Sequence, residues 1–293
     1  MNRRPALPAL ALLGNALVWG LSWIAFKALH RHGLHPLWTT ALVYAGTLLA
    51  LLLWRPGCLR SFGQRPQLLL LAAASGAANV GFNWAVTIGD VVRVALLFYL
   101  MPLWSIALAW PLLGERPTRA ALLRLLLALA GVALVLWRPG MGLLPVSAAD
   151  GLALLGGMCF ALNNVLLRRW RDTPDPARAL AMFGGGFAVA SAAALTPALH
   201  AGLPPLAAAE AWLPWAGGLA LALLAGNLGL QYGAARLPAH TTSLIMLSEV
   251  LFASASALLL DAAAPDLRTC AGGLLIVLAA LLAARRSHPV GTK

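Results

Sequence analysis

Apolar runs follow one another along this chain, separated by short polar breaks rich in Arg, Gly and Pro. Ten such runs are predicted as helices: 7–29, 36–54, 67–88, 92–113, 119–137, 149–169, 177–199, 212–234, 239–260 and 268–285. Each is close to the roughly 20 residues that cross a hydrocarbon core about 30 Å thick. Backbone N–H and C=O groups find no water in lipid, so runs of this kind must pair them internally, as helices. The connectors, among them Arg31-His32-Gly33, Arg55-Pro56-Gly57, Arg138-Pro139-Gly140 and Asp172-Thr173-Pro174-Asp175-Pro176, are too short to hold a soluble domain. The pattern predicts one all-α unit embedded in a membrane.

Within that pattern, residues 79–117 read as an apolar helix, a tight Gly89-Asp90 turn and a second apolar helix broken by Pro102 and Pro111. The design returns without a gap 148 residues later, as residues 227–265. Asn79 falls on Asn227, Gly81 on Gly229, Asn83 on Gln231, Trp84 on Tyr232 and Pro117 on Pro265. A period of half the chain indicates two related halves, residues 1–140 and 141–293. Five spans per half is an odd number, so the second half enters the membrane from the opposite side. The expected architecture is ten transmembrane helices arranged as two inverted five-helix repeats.

Composition changes the picture by excluding a soluble protein: 61% of residues are hydrophobic and only 10% charged, against roughly 25% charged in soluble domains. A net charge of +12 would otherwise suggest nucleic acid. Here the basic residues sit in the breaks, and their distribution follows the positive-inside rule. With the N-terminus in the cytoplasm, fifteen Lys and Arg fall inside and five outside (Lys27, Arg31, Arg93, Arg138, Arg268), with Arg124 within a span. Both termini are therefore expected in the cytoplasm. Lys27 closes the first span outside, and its aligned partner Arg168 closes the sixth inside. Arg3 and Arg4 precede an apolar stretch from Ala6 to Leu29 that is too long for a signal-peptide core, which predicts a retained first helix. Cys58, Cys159 and Cys270 are odd in number, far apart and fit no metal or disulfide spacing.

Several of these residues carry a resemblance. Trp19-Gly20-x-Ser22-Trp23-x-x-x-Lys27 resembles the first-helix pattern of the drug/metabolite transporter superfamily, in its ten-helix EamA-type branch. Leu100-x-Pro102-Leu103 followed by Leu113-Gly114-Glu115-Arg116-Pro117 resembles that family's fourth-helix signature. Ser248-Glu249 resembles the Leu-Glu-Pro of many second repeats, with Val250 in place of the proline, and the second Leu-Gly-Glu is reduced to Leu260-Asp261-Ala262. The resemblance covers the whole chain. It implies export of small organic metabolites, amino acids first, from a multi-pass position in the cell inner membrane. The aromatic amino acid and paraquat exporter subgroup is one plausible home.

Candidate transport residues are the polar and aromatic groups inside the spans. Asn79 and Asn83 share a helix face, with Thr87 a turn on, and Asn227 and Gln231 repeat the pair. Amides facing lipid are expensive, so they should face a watered cavity or bond between helices. Glu249 is an acid about ten residues into the ninth span. It is expected to couple protons, to bind a substrate ammonium, or to serve as a hydrogen-bonded structural acid, with Ser248 or an amide as partner. Trp19, Trp84, Tyr99 and Trp104 lie near span middles and offer stacking or packing surfaces; Trp23 and Trp110 fit interfacial anchors. Asn163 and Asn164 are deep in the sixth span, one of them expected to face the cavity, and Pro102 should break the fourth helix near its midpoint. Gly81, Gly184-Gly185-Gly186, Gly226, Gly229 and Gly233 are read chiefly as close-packing edges.

The histidines sit at span ends or in loops, and no metal spacing, nucleophile elbow or phosphate-cradling loop is present. No cofactor is expected, nor nucleic acid; the partners are a small-molecule solute and the bilayer, with monomer and homodimer both open. The leading expectation is a secondary transporter working by alternating access around a midplane cavity, with a drug or cation substrate as the alternative. An intramembrane enzyme, a non-transporting scaffold and a channel rank well below it.

Overall fold

The computed structural model describes residues 6–88, 94, 97–136, 147–197, 201–202, 208–261 and 267–285. Their regular structure is helical: α1 (Ala6–Arg31), α2 (Pro36–Trp54), α3 (Cys58–Gly63), α4 (Leu68–Ile88), α5 (Met101–Leu113), α6 (Arg119–Leu136), α7 (Ala148–Arg169), α8 (Asp175–Ala194), α9 (Ala209–Ala234), α10 (Ala239–Met246), α11 (Glu249–Asp261) and α12 (Leu267–Arg285). Six of them, α1, α2, α4, α7, α8 and α9, carry stretches long and apolar enough to cross a membrane. Exposed leucines such as Leu53, Leu123, Leu259 and Leu274 stud the outer faces, as expected where acyl chains replace water.

Two predicted spans are discontinuous. The ninth, expected as one helix over 239–260, is divided by a turn at Leu247-Ser248 into α10 and α11. No proline marks this break, so composition concealed it. In the fourth span the turn lies at Tyr99-Leu100, ahead of Pro102. The span is thus interrupted in the turn preceding Pro102, where a proline crowds the carbonyl four residues back. Pro102 itself starts α5, at a first-turn position where no intrahelical donor is lost. The two turns stand 148 residues apart, the offset of the sequence repeat. The short α3 was not predicted, and α8 ends at Ala194 rather than residue 199. The Gly89-Asp90 turn, Arg93, Arg138 and the side chain of Thr87 lie outside the described residues.

Local chemistry accounts for several helix ends. His35 caps α2 by accepting from the Leu37 N–H at 3.3 Å, with Pro36 pre-set for the first turn. Ser147 and Asp150 form a reciprocal capping box on α7, at 3.2 and 2.7 Å. Gly114 ends α5 in the left-handed region, φ 70°. Arg124, within a span, donates from Nε to the Ala120 carbonyl and from Nη1 to the Leu282 carbonyl of α12, at 2.9 and 3.0 Å.

Helices pack in related pairs: α1 against α9, α4 against α7 and α8, α2 against α8, and α6 against α12. The small residues singled out in sequence make the close approaches. A Cβ on Gly81 would lie 2.9 Å from the Leu152 carbonyl of α7, and one on Gly229 would lie 2.8 Å from the Ala11 carbonyl of α1. Gly81 and Gly229 are repeat partners, and Leu152 and Ala11 are separated by 141 residues, the spacing of Arg168 from Lys27. The same contact occurs in both halves. A core of Leu12, Leu71, Leu167, Met182, Leu230 and Met246 fills the space between these pairs.

Candidate polar site at the helix breaks

The two breaks bring α1, α5, α10 and α11 together. Tyr99, buried in the turn before α5, donates its phenolic hydrogen to the carboxyl of Glu249, in the first turn of α11. The half-helix ends at a break have free N–H groups, which favours a carboxylate at that position. Ser105 of α5 and Ser243 of α10 share a short hydrogen bond between hydroxyls. Asn15 of α1 donates from Nδ2 to Sδ of Met246, at 3.4 Å. Gly20 lets α1 come so close to α11 that an added Cβ would stand 2.8 Å from the Glu249 carbonyl. Gly157 does the same for the first break, 2.6 Å from the Phe98 carbonyl, and Phe98 stacks on Phe82 with ring centroids 4.7 Å apart.

Trp19, one residue before Gly20 in α1, helps wall a narrow crevice too tight for a water molecule, together with Phe26, Thr40, Tyr44, Asn79 and Asn83. It joins α1, α2 and α4 with Leu223 of α9. Its polar side is wired: Tyr44 Oη donates to Asn79 Oδ1 at 2.8 Å, Asn79 Nδ2 donates to the Ser75 carbonyl at 2.9 Å, and Asn83 Nδ2 donates to Thr40 Oγ1. Tyr44 on Asn79 and Asn83 on Thr40 are bonds between α2 and α4, the interhelical reading of these amides.

Their repeat partners behave differently. Asn227 is buried and turns Nδ2 back to the Leu223 carbonyl of its own helix, at 2.9 Å. Gln231 is fully buried, and neither atom of its amide has a hydrogen-bond partner. Asn163 and Asn164 are likewise buried; Asn163 Oδ1 and both amide atoms of Asn164 are unpartnered. These amides do not line the crevice. Trp84 packs with Trp38 against Leu37 and Val80 on the α2–α4–α8 side, and Trp110 is exposed. The indole N–H groups of Trp19 and Trp104 are buried without partners. Glu249 differs from expectation in its partner: Ser248 Oγ donates to the Ile245 carbonyl at 2.7 Å, and the phenol of Tyr99 takes the place foreseen for Ser248 or an amide.

Sequence reasoning missed Thr40, Tyr44 and Asn15. Thr40, Tyr44 and Thr47 stand four and three residues apart in the second span, a one-face polar signal that could have been read. The two copies of the amide pair should respond differently to truncation. Asn83→Ala should weaken substrate binding several-fold, since one neutral hydrogen bond contributes roughly 0.5–1.5 kcal/mol. Gln231→Leu should hold or raise thermal stability, because an unpartnered buried amide costs about 1–3 kcal/mol, yet slow transport if the residue meets solute in another state. Affinity and melting temperature of the two variants check this; a large stability loss in Gln231→Leu would show that the amide is bonded.

Residues 6–137 match the EamA-like transporter family. An uncharacterized transporter of Pseudomonas aeruginosa is 34% identical over 131 residues, 42% of this chain and 44% of that protein. Protein RarD of Escherichia coli is 29% identical over 148 residues, 47% of this chain and 49% of that one. The chain thus spans a little under half the length of the curated relatives it matches. A solved crystal structure, 19% identical, shares the fold over 97% of this chain and 99% of its own, with a TM-score of 0.77. The family match covers a little under half of the chain, residues 6–137.

Proposed function

We propose that the protein is a secondary transporter that exports small organic metabolites, amino acids with aromatic or hydrophobic side chains foremost, by alternating access around a central cavity. The observation that carries this reading is the meeting of Tyr99 and Glu249 at the turns that divide two helices. Broken helices with free polar ends are where membrane transporters hold solutes. Here Glu249 offers a carboxyl to an ammonium group, and Trp19 with Phe26 offers a surface to an apolar side chain. The same carboxyl favours a second reading, export of a cationic drug, in which the ring and the charge are both matched without a carboxylate on the solute.

The inverted-repeat architecture belongs to this proposal. It is supported by the two breaks at one offset, by the paired Gly81–Leu152 and Gly229–Ala11 contacts, and by the packing of α1 on α9 and of α4 on α7. The ten apolar runs support ten crossings and the charge distribution supports cytoplasmic termini, while the inner membrane is what the family resemblance implies. Purified protein in proteoliposomes, challenged with a panel of amino acids and organic cations, should release aromatic amino acids fastest; a panel with no saturable efflux would refute transport. Topology is tested separately. A cysteine at Ser61 should react with impermeant reagents from the inside and one at Ser147 from the outside, and reaction of both from one side would refute the inverted arrangement.

A further inference from the structure

We propose that Glu115 is a one-sided latch that holds the cytoplasmic mouth of the transport path shut. The inference rests on the alternating-access reading above, whose orientation puts Arg168 and the α9–α10 connection on the cytoplasmic face. Glu115 follows the left-handed Gly114 that ends α5. Its two carboxylate oxygens have different partners. Oε1 accepts from Arg168 Nε at 3.3 Å, and Oε2 accepts from the backbone N–H of Ala239 at 3.2 Å. Ala239 opens α10, where free N–H groups favour an anion. Arg168 lies in the last turn of α7, and its Nη1 donates to the Ala235 carbonyl just past α9, at 3.0 Å. One carboxylate thereby ties the ends of α5, α7 and α9 to the start of α10.

The tie can open. The two side chains are 21% and 23% exposed, so water reaches them and can take over their hydrogen bonds when the helices part. The sequence repeat does not reproduce the tie. The repeat offset of 141 places Lys27 where Arg168 stands, and the offset of 148 places Ala263 where Glu115 stands. The cation is kept and the carboxylate is lost. Asp261 and Asp266 align instead with Leu113 and Thr118, and Asp261 is still within α11. Lys27 is exposed and lies over the ring of Trp23, 5.5 Å from its centroid.

Two glycines show how these helices pack near the latch and away from it. The contacts of α4 with α8 and of α9 with α2 are repeat equivalents. A Cβ on Gly185 of α8 would overlap the Ala72 carbonyl of α4, in the cytoplasmic third of that helix. A Cβ on Gly46 of α2 would meet only the Ala220 side chain of α9, at 3.4 Å. With Glu115 joining four helix ends at the cytoplasmic face, the structure is read as the state with the inner mouth closed, and the latch weights the resting population toward it.

The test uses full-length protein in lipid nanodiscs with Cys58, Cys159 and Cys270 replaced by serine. Two buried reporters, Thr242→Cys in α10 and Leu37→Cys at the start of α2, are introduced one at a time and labelled with an impermeant maleimide. Glu115→Gln should speed labelling of the Thr242 reporter about tenfold, the population change one charged hydrogen bond supports, and leave the Leu37 reporter slow. Unchanged labelling of the Thr242 reporter in Glu115→Gln overturns the latch, and faster labelling of both reporters shows general loosening and overturns it too. If the wild type moves no solute while Glu115→Gln still exposes Thr242 alone, the transport reading fails and the latch stands.

Discussion

Glu249→Gln should flatten the dependence of transport on pH, or cut the affinity for cationic and zwitterionic solutes at least tenfold. The carboxyl accepts one hydrogen bond, from Tyr99, and no ion pair to it occurs among the described residues. An ionised carboxylate inside a membrane protein is retained where a cation matches it for part of the time. A proton and a substrate ammonium both qualify. Glutamine keeps the shape and still accepts from the Tyr99 phenol, but it has no proton to exchange and no charge to offer. Tyr99→Phe separates the roles: it removes the donor and leaves the acid, so pH dependence should survive with its midpoint moved. Transport rate against pH, with substrate affinity, is the measurement. Curves and affinity that match wild type in Glu249→Gln would reduce the residue to a structural acid, and solute binding would then rest on amides and rings.

Gly185→Val should be the most damaging of the single changes in the glycine triplet, lowering the melting temperature by roughly 5–10 °C or preventing accumulation in the membrane. The added atoms would enter the Ala72 carbonyl, and backbone cannot step aside as the tip of a side chain can. Gly186→Ala meets the Tyr44 ring, which also holds Asn79, so it should cost stability and disturb the crevice. Gly184→Ala meets nothing within 4 Å and should be neutral or slightly stabilising, since alanine is the better helix former. Equal behaviour of the three would contradict the α4–α8 contact.

Much of this arrangement was legible in the chain, for reasons that differ by element. Long apolar runs between Arg and Gly breaks marked α1, α2, α4, α7, α8 and α9, because hydrocarbon imposes a length and a composition on a crossing helix. The glycines of α4 and α9 were readable as packing edges, since only a missing side chain lets helices approach so closely. The break at Leu247-Ser248 was not readable. Nothing in the sequence from Ile245 to Val250 resists a helix, and the turn is held by tertiary contacts such as Asn15 on Met246 and Tyr99 on Glu249. The amides were found as a class but not sorted. Asn83 and Gln231 align, yet one walls the crevice and the other is sealed, a difference set by how the halves lean on each other rather than by residue type. Tyr44 and Thr40 escaped notice because aromatic and hydroxyl groups in an apolar span look like ordinary filler.

The division of the ninth span also bears on how the chain enters a bilayer during synthesis. α10 has only eight residues, about 12 Å of helix at 1.5 Å per residue, less than half of the roughly 30 Å of hydrocarbon. As it leaves the ribosome, this segment is too short to cross the bilayer and ends at a turn whose backbone groups need partners. The side chains that meet its end, Asn15 of α1 on Met246 and Tyr99 ahead of α5 on Glu249, were made long before it. The late half-helices are therefore received by a surface that the earlier helices have already built. Truncations that remove α1 should strand the 239–261 segment at the interface, even though its own sequence is unchanged.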